Sequence, residues 1–335
     1  MADAGAELTQ RLPPSRRAAG RWPLSQKPAG RWPLSRKPPG RRPLSHKAAG
    51  KHFGWLDAVV LVVLAGFIGF VTYRVQTVLN YHWAWGSIPN YILRWDPERG
   101  WVANLLLQGL ATTLRLSFCS LLLACVFGVL IATGRIARNL LPRLMSGTYV
   151  ELMRNTPPLV LIFIGYFFVS SQIMPLLGID AFVRAASPEV LQAISVAFGD
   201  PRLLKNFISA TIVLALFEGA YVAEILRGGI QSVEVGQWDA AAALGLTRWQ
   251  SLRRVILPQA VARMVPPLGG QTISLIKDSS VISLISIQDL TFMANDVAVS
   301  TTRVFETWIT ASAMYFAVCF ILSIGFRKLE RRLAR

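Results

Sequence analysis

Six stretches of this chain run for a bilayer's width with almost no charged side chain, and such continuous apolar runs constrain the fold more than any other feature. A helix needs about 20 apolar residues to cross the hydrocarbon core. The runs read as Trp55 to Tyr73, Leu116 to Thr133 with a lead-in from Asn104, Thr148 to Val169, Phe207 to Leu226, Pro267 to Leu290, and Trp308 to Phe326. With 53% hydrophobic and only 16% charged residues, the chain is not composed as an ordinary soluble domain, whose helices carry amphipathic stripes. The expected fold is all-α: a polytopic membrane helix bundle of about six transmembrane helices.

The net charge of +17 suggests a nucleic-acid partner only until the basic residues are placed along the chain. Twelve precede Trp55, and further groups flank alternate connections: Arg135 to Arg154, Arg227 to Arg263, and Arg327 to Arg335. With the N-terminus inside, 26 lysines and arginines fall on inner segments and 7 on outer ones. The positive-inside bias then puts both termini in the cytoplasm of a multi-pass membrane protein, with no nucleic acid involved.

Ahead of the first run the sequence repeats every ten residues: GRWPLSQKPA from Gly20, GRWPLSRKPP from Gly30 and GRRPLSHKAA from Gly40. Pro23, Pro33 and Pro43 interrupt any helix, and the Gly, Pro and Lys content points to disorder. One reading is electrostatic contact with membrane lipid, Trp22 and Trp32 acting as interfacial anchors. The other is a tandem duplication left as a solvated tail. The segment is not a secretory signal, because no short apolar stretch with a small-residue cleavage site follows it. Three parts are expected: a basic tail at 1–54, an extra first helix with an external loop at 55–103, and the transmembrane domain at 104–335.

Little in the chain offers covalent chemistry. Cys119, Cys125 and Cys319 all fall in apolar runs without ligand spacing, and read as small core residues. His46, His52 and His82 are scattered. No metal site, cofactor or catalytic residue is expected, and the absence of a GxxxxGK[ST] phosphate loop excludes nucleotide hydrolysis by this chain.

One polar segment between apolar runs, Gly236 to Pro258 (GQWDAAAALGLTRWQSLRRVILP), carries a fixed spacing. Asp239, Ala240 and Ala241 are followed by Gly245 and then by Val255, Leu257 and Pro258. This resembles the coupling loop of ABC importer permeases. Further stretches resemble the polar amino acid branch of that family: TTLRLS at Thr112 to Ser117, ELMRNTPPLVLIF at Glu151 to Phe163, GAYVAEILRGGIQSV at Gly219 to Val233, and the segment Pro258 to Leu290. Asp239 replaces the usual Glu, Val255 the usual Ile, Ala242 a frequent basic residue, and Gly270 a frequent Asn.

The resemblance, covering roughly Asn104 to Phe326, implies the type I importer permease fold and an ATP-driven, binding-protein-dependent import of polar L-amino acids, or alternatively of opines or other amine solutes. It implies ATPase subunits inside, a second permease subunit beside this one, an external solute-binding protein, and ATP hydrolysis on the partners alone. The residue types suit docking. The alanines favour helix with little bulk, Gly245 accepts positive φ and ends a helix, Leu257 is an apolar anchor, and Pro258 disturbs the preceding turn. Asp239 is expected near a helix start, where a carboxylate is favoured.

Glu218, Lys277 and Asp278 lie within apolar runs, where an ionisable group costs about 2.5–3.5 kcal/mol. With Gln271 they either line the translocation path of a zwitterionic solute or pair to hold the bundle. Glu151 with Arg154, and Glu224 with Arg227, have i,i+3 spacing and read as structural pairs. Pro157 and Pro158 should break or bend the third run near its start. Rivals are a channel or ion-coupled carrier, which has no need of a docking loop, and a membrane-embedded enzyme, for which no His, Cys or Ser cluster has catalytic spacing.

Overall fold

The computed structural model describes residues 54–77, 81–137 and 139–333. The ten-residue repeats, with Trp22 and Trp32, lie outside the described residues. The described residues fall into two units, 54–77 and 81–333. In the first, helix α1 (Trp55–Thr77) has Asp57 in its first turn and Arg74 in its last, the order that the helix dipole favours.

The second unit leads in through α2 (Ile88–Ile92) and an antiparallel ribbon of β1 (Leu93–Asp96) and β2 (Gly100–Ala103), which pairs Trp95 with Trp101. Gly100 at φ 73° closes the turn. Asp96 Oδ1 accepts the N–H groups of Glu98 at 3.0 Å and Arg99 at 3.1 Å. These bonds favour the charged form and hold the carboxyl below its ordinary range.

Helix α3 (Leu105–Arg135) is followed by α4 (Leu140–Asn155) and α5 (Pro158–Phe168), which runs through a π stretch at Val169–Ile173 into α6 (Met174–Leu177). Short helices α7 (Ile179–Ala185) and α8 (Pro188–Phe198) lead to α9 (Leu204–Gln231). Two more, α10 (Val235–Ala243) and α11 (Arg248–Ser251), precede α12 (Leu257–Asp278), α13 (Leu290–Thr301) and α14 (Val304–Leu333).

Among the described residues, five helical stretches are long and apolar enough to cross a membrane: Trp55–Thr77, Leu105–Arg135, Pro158–Leu177, Pro201–Gln231 and Val304–Arg332. α12 has 22 residues and rises about 33 Å, which matches the hydrocarbon thickness despite its polar groups. With α12 the all-α chain has about six helices able to span a membrane, one in the first unit and the others bundled in the second.

Two runs differ from their expected extents. The run from Thr148 to Val169 is broken after Asn155, because Thr156 and Pro157 are extended, and the span proper begins at Pro158. Proline disfavours helical backbone in the residue before it, so the tandem Pro157 and Pro158 act on two positions at once. The run from Pro267 to Leu290 is not one helix either. α12 starts ten residues earlier and stops at Asp278, a 3₁₀ segment spans Ser279–Ile285, and Ser286 is left-handed at φ 62°. Asp289 then caps α13 by accepting the Phe292 N–H at 2.8 Å. Serine and aspartate bond locally to backbone and so compete with helix continuation.

The α3–α9 pairing is the most extensive in the bundle. The two helices run parallel, with Ser120 meeting Thr211 and Arg135 meeting Glu224. Along α3 the residues at every fourth position, Ser120, Ala124, Gly128 and Ala132, form a small-residue stripe on the buried face. Leu122, Val126, Val129 and Leu130 take the exposed face. Facing the stripe, α9 presents Ala215, Gly219, Ala220 and Ala223, all buried. Small residues let backbones approach in a medium where lipid tails solvate leucine as well as protein does. A Cβ on Gly219 would stand 3.0 Å from the Phe127 Cβ, and one on Gly128 would overlap Val222.

Core residues Leu116, Ile162, Tyr166, Val213, Leu275 and Ile282 join α3, α5, α9, α12 and the 3₁₀ segment. α13 closes on α3 at Gly109, where an added Cβ would lie 2.8 Å from the Asp289 carbonyl. Gly128→Ala is expected to destabilise the bundle by about 1–3 kcal/mol through overpacking. Gly147→Ala, with nothing within 4 Å of the new Cβ, should stabilise α4 by about 0.5–1 kcal/mol. Thermal melts of the two variants in detergent check this contrast of sign.

Candidate functional site

The segment from Val235 to Pro258 is a folded projection between α9 and α12. α10 ends in a Schellman motif: the Gly245 N–H reaches the Ala242 carbonyl at 2.9 Å and the Leu246 N–H the Ala241 carbonyl at 3.2 Å. This closure requires a left-handed residue, and Gly245 supplies it at φ 74°. α11 starts in a capping box, with the Gln250 N–H donated to Thr247 Oγ1 at 3.3 Å and the Thr247 N–H to Gln250 Oε1 at 2.9 Å. A π turn at Leu252–Ile256 then runs straight into α12, where the Leu257 N–H bonds back to the Leu252 carbonyl. Pro258, exposed in the first turn of α12, has no N–H to continue the ladder.

Trp238, Leu252, Val255 and Ile256 pack with Val233, Ala260 and Met264, tying the projection to the ends of α9 and α12. Outward it offers Val235, Leu244 and Trp249, which are 72%, 79% and 67% exposed. The alanines divide: Ala240 is exposed and Ala241 is buried against the bundle. Leu257 is partly outward at 39%. Asp239 is exposed in the second turn, because α10 begins at Val235 behind Glu234. The expected placement of Asp239 at a helix start is therefore corrected: its carboxylate lies beyond the turn where the dipole acts.

Within the bundle, Glu218 is completely buried on α9 and Gln271 of α12 donates to its Oε2 at 2.6 Å. Glu218 Oε1 has no hydrogen-bond partner. Asp278, half-buried, lies seven residues beyond Gln271 on the same face of α12. Lys277 is exposed at the neighbouring position. The structure thus joins Glu218 to Gln271, aligns Asp278 with them, and leaves Lys277 outside the cluster.

The pair Glu224 and Arg227 forms as expected, with Arg227 Nε 3.1 Å from both carboxylate oxygens. Arg135, at the end of α3, adds an ion pair to Glu224 Oε2 at 3.2 Å. Glu151 and Arg154 do not pair. Glu151 accepts from Asn155 at 2.9 Å, and Arg154 lies over the Tyr221 ring at 5.7 Å, where cation–π attraction replaces the ion pair.

Sequence reasoning missed two further polar sites at the end of the bundle away from the projection. Buried Asp289 accepts from Phe292 and from the Tyr315 hydroxyl, while Thr113 of α3 accepts the Leu290 N–H at 3.0 Å. Buried Glu306 accepts the Ala84 N–H at 2.7 Å and the Tyr81 hydroxyl. Burial, helped by that carboxylate, pushes the Tyr81 phenol above its usual range. The signal for each is an acidic residue at the edge of an apolar run: Asp289 one position inside the end of the run to Leu290, and Glu306 two positions before the run from Trp308.

Residues 124–335 match the family model described as binding-protein-dependent transport system inner membrane component. The chain is 32% identical over 242 residues to the glutamine transport system permease protein GlnP of Escherichia coli (strain K12), covering 72% of this chain and 99% of GlnP. It is 34% identical over 218 residues to the nopaline transport system permease protein NocM of Agrobacterium fabrum, covering 65% and 83%. It is also similar to a chain in the crystal structure of an amino acid ABC transporter with histidines, at 31% identity and a TM-score of 0.54, covering 68% and 94%.

Gly245→Ala tests the geometry of the projection. A left-handed L-residue costs about 1–2 kcal/mol, so exchange of the Leu246 amide should accelerate about 5- to 30-fold. Amides in the middle of α9 should keep their protection, as read by hydrogen exchange.

Proposed function

The chain belongs to the binding-protein-dependent transport system inner membrane component family, and from that premise we propose that its projection couples it to ATPase subunits. It is the permease subunit of an ATP-driven importer of polar amino acids. The observation that carries the coupling assignment is the built form of Val235–Pro258. Two short helices with their own caps present Leu244 and Trp249 outward, on a base packed into α9 and α12. A docking element needs exposed apolar anchors and a rigid base, since hot spots are large side chains on an ordered surface.

Asp239, Ala240, Gly245 and Leu257 then belong to the ATPase-facing surface, while Ala241, Val255 and Pro258 set its shape. The ATPases hydrolyse the nucleotide. This chain converts their closure into movement of α9 and α12. The excess of Lys and Arg on the projection and on both terminal segments supports a cytoplasmic position for all three. A second permease chain, an external solute-binding protein and an inner-membrane setting complete the assembly.

Glu218, Gln271 and Asp278 are the candidate path residues. The unbonded Oε1 of Glu218 gives the cluster capacity for an amine, and Gln271 fixes the other oxygen. Lys277, exposed one position before Asp278, is available to the second permease chain. Glutamine, named for the GlnP relative, is the first solute to test. The NocM relative supports an opine as the second reading.

The deciding experiment is ATP hydrolysis by the complex reconstituted in lipid with its binding protein, across the twenty L-amino acids and nopaline. Stimulation by polar amino acids is expected, and stimulation by nopaline alone would select the second reading. An ATP-competent complex that responds to none of them overturns the proposal. Gly245→Asp should leave insertion and assembly intact and abolish uptake. Normal uptake by that variant would remove the coupling role.

Glu218→Gln should shift solute affinity about tenfold or more, given about 1.5–3 kcal/mol for a hydrogen bond to a charged group, while ATP hydrolysis persists. Unchanged affinity with a lowered melting temperature would assign Glu218 to bundle packing instead.

A further inference from the structure

We propose that a cavity at the projection end of α3 and α9 binds a phosphate-bearing anion, the headgroup of an anionic phospholipid. This inference is independent of which solute crosses. The cavity holds about 460 Å³ and is walled by Arg135, Ile230, Gln231, Trp238, Arg248 and Leu252. Its charges do not cancel. Both oxygens of Glu224 are engaged by Arg227 and by Arg135. Among the described residues Arg248 has no carboxylate partner. The lining itself therefore carries two guanidinium groups, Arg135 and Arg248, and no carboxylate.

Two arginines on different walls suit a tetrahedral oxyanion, because each planar fork donates to two of its oxygens. Ile230 and Leu252 supply an apolar wall for the glycerol and upper acyl carbons that follow a phosphate. Trp238 is the residue type that concentrates at membrane–water boundaries.

Position selects lipid as the source of the phosphate. α3 has 31 residues and rises about 46 Å, about 16 Å more than the hydrocarbon core. Shared between two ends, that excess carries Arg135 into the headgroup layer. Basic pockets between transmembrane helices at this level bind anionic headgroups, and the attraction falls off within a Debye length.

The test uses the full-length permease in its assembled complex, exchanged into detergent with equimolar phosphatidylglycerol and phosphatidylcholine, and reads retained lipid by native mass spectrometry. Phosphatidylglycerol should be retained preferentially. Arg248→Gln and Arg135→Gln should each lower that retention about fivefold, the effect of removing one arginine near an anionic surface. Arg248→Lys should keep most of it.

Arg327→Gln, an exposed arginine outside the cavity at the same end of the bundle, should change nothing. Equal retention of the two lipids, or retention in Arg248→Gln equal to that of the unsubstituted chain with the complex intact, would overturn the proposal. Displacement of the lipid by millimolar inorganic phosphate would overturn its assignment to a headgroup.

Discussion

Among helices bathed in hydrocarbon, a leucine gains little by leaving lipid for another leucine, so association depends on how closely backbones approach. Here that approach is made by Ser120, Ala124, Gly128 and Ala132 on one helix and by Ala215, Gly219, Ala220 and Ala223 on the next. Because α3 and α9 lie so near, Arg135 reaches Glu224 and the ends of both helices are fixed together. The base of the projection rests on that fixed end through Val233 and Trp238. The same proximity brings Leu116 and Val213 into one core with α5 and α12.

Buried polar groups follow the same economy of space. Glu218 meets Gln271 across α9 and α12, Asp289 caps its own helix and receives Tyr315, and Glu306 receives the chain at Tyr81 and Ala84. Leaving any of these carboxylates unpaired in a low-dielectric interior is costly. Each carboxylate also joins elements that are distant in sequence, so the pairs help define which helices are neighbours. Glu218 differs in having one oxygen to spare.

Hydropathy made the spanning runs legible, because length and apolar content depend on the bilayer alone. The spacing from Asp239 to Pro258 made the projection legible, and glycine at 245 announced a left-handed turn that is present at φ 74°. What could not be read depends on neighbours. Ser120 and Leu122 look alike to a hydropathy window, although only one faces α9. Glu151 and Arg154 have ideal spacing, yet Tyr221 on another helix takes the arginine. Asp239 missed the helix start because α10 begins four residues before it. The run after Pro267 hid a helix end because Ser279, Ser286 and Asp289 redirect the backbone without lowering hydropathy enough to show.

α12 contains adjacent prolines, Pro266 and Pro267, inside its length. Two consecutive residues without an N–H leave the carbonyls of Ala262 and Arg263 without their usual donors, in a single turn of the helix. Met264 and the projection lie on one side of that turn, and Gln271 with its bond to Glu218 lies on the other. The helix is thus two fully bonded arms joined by a turn that lacks two hydrogen bonds. Its resistance to bending is lowest at that turn, so a force on one arm bends the helix there before it displaces the other.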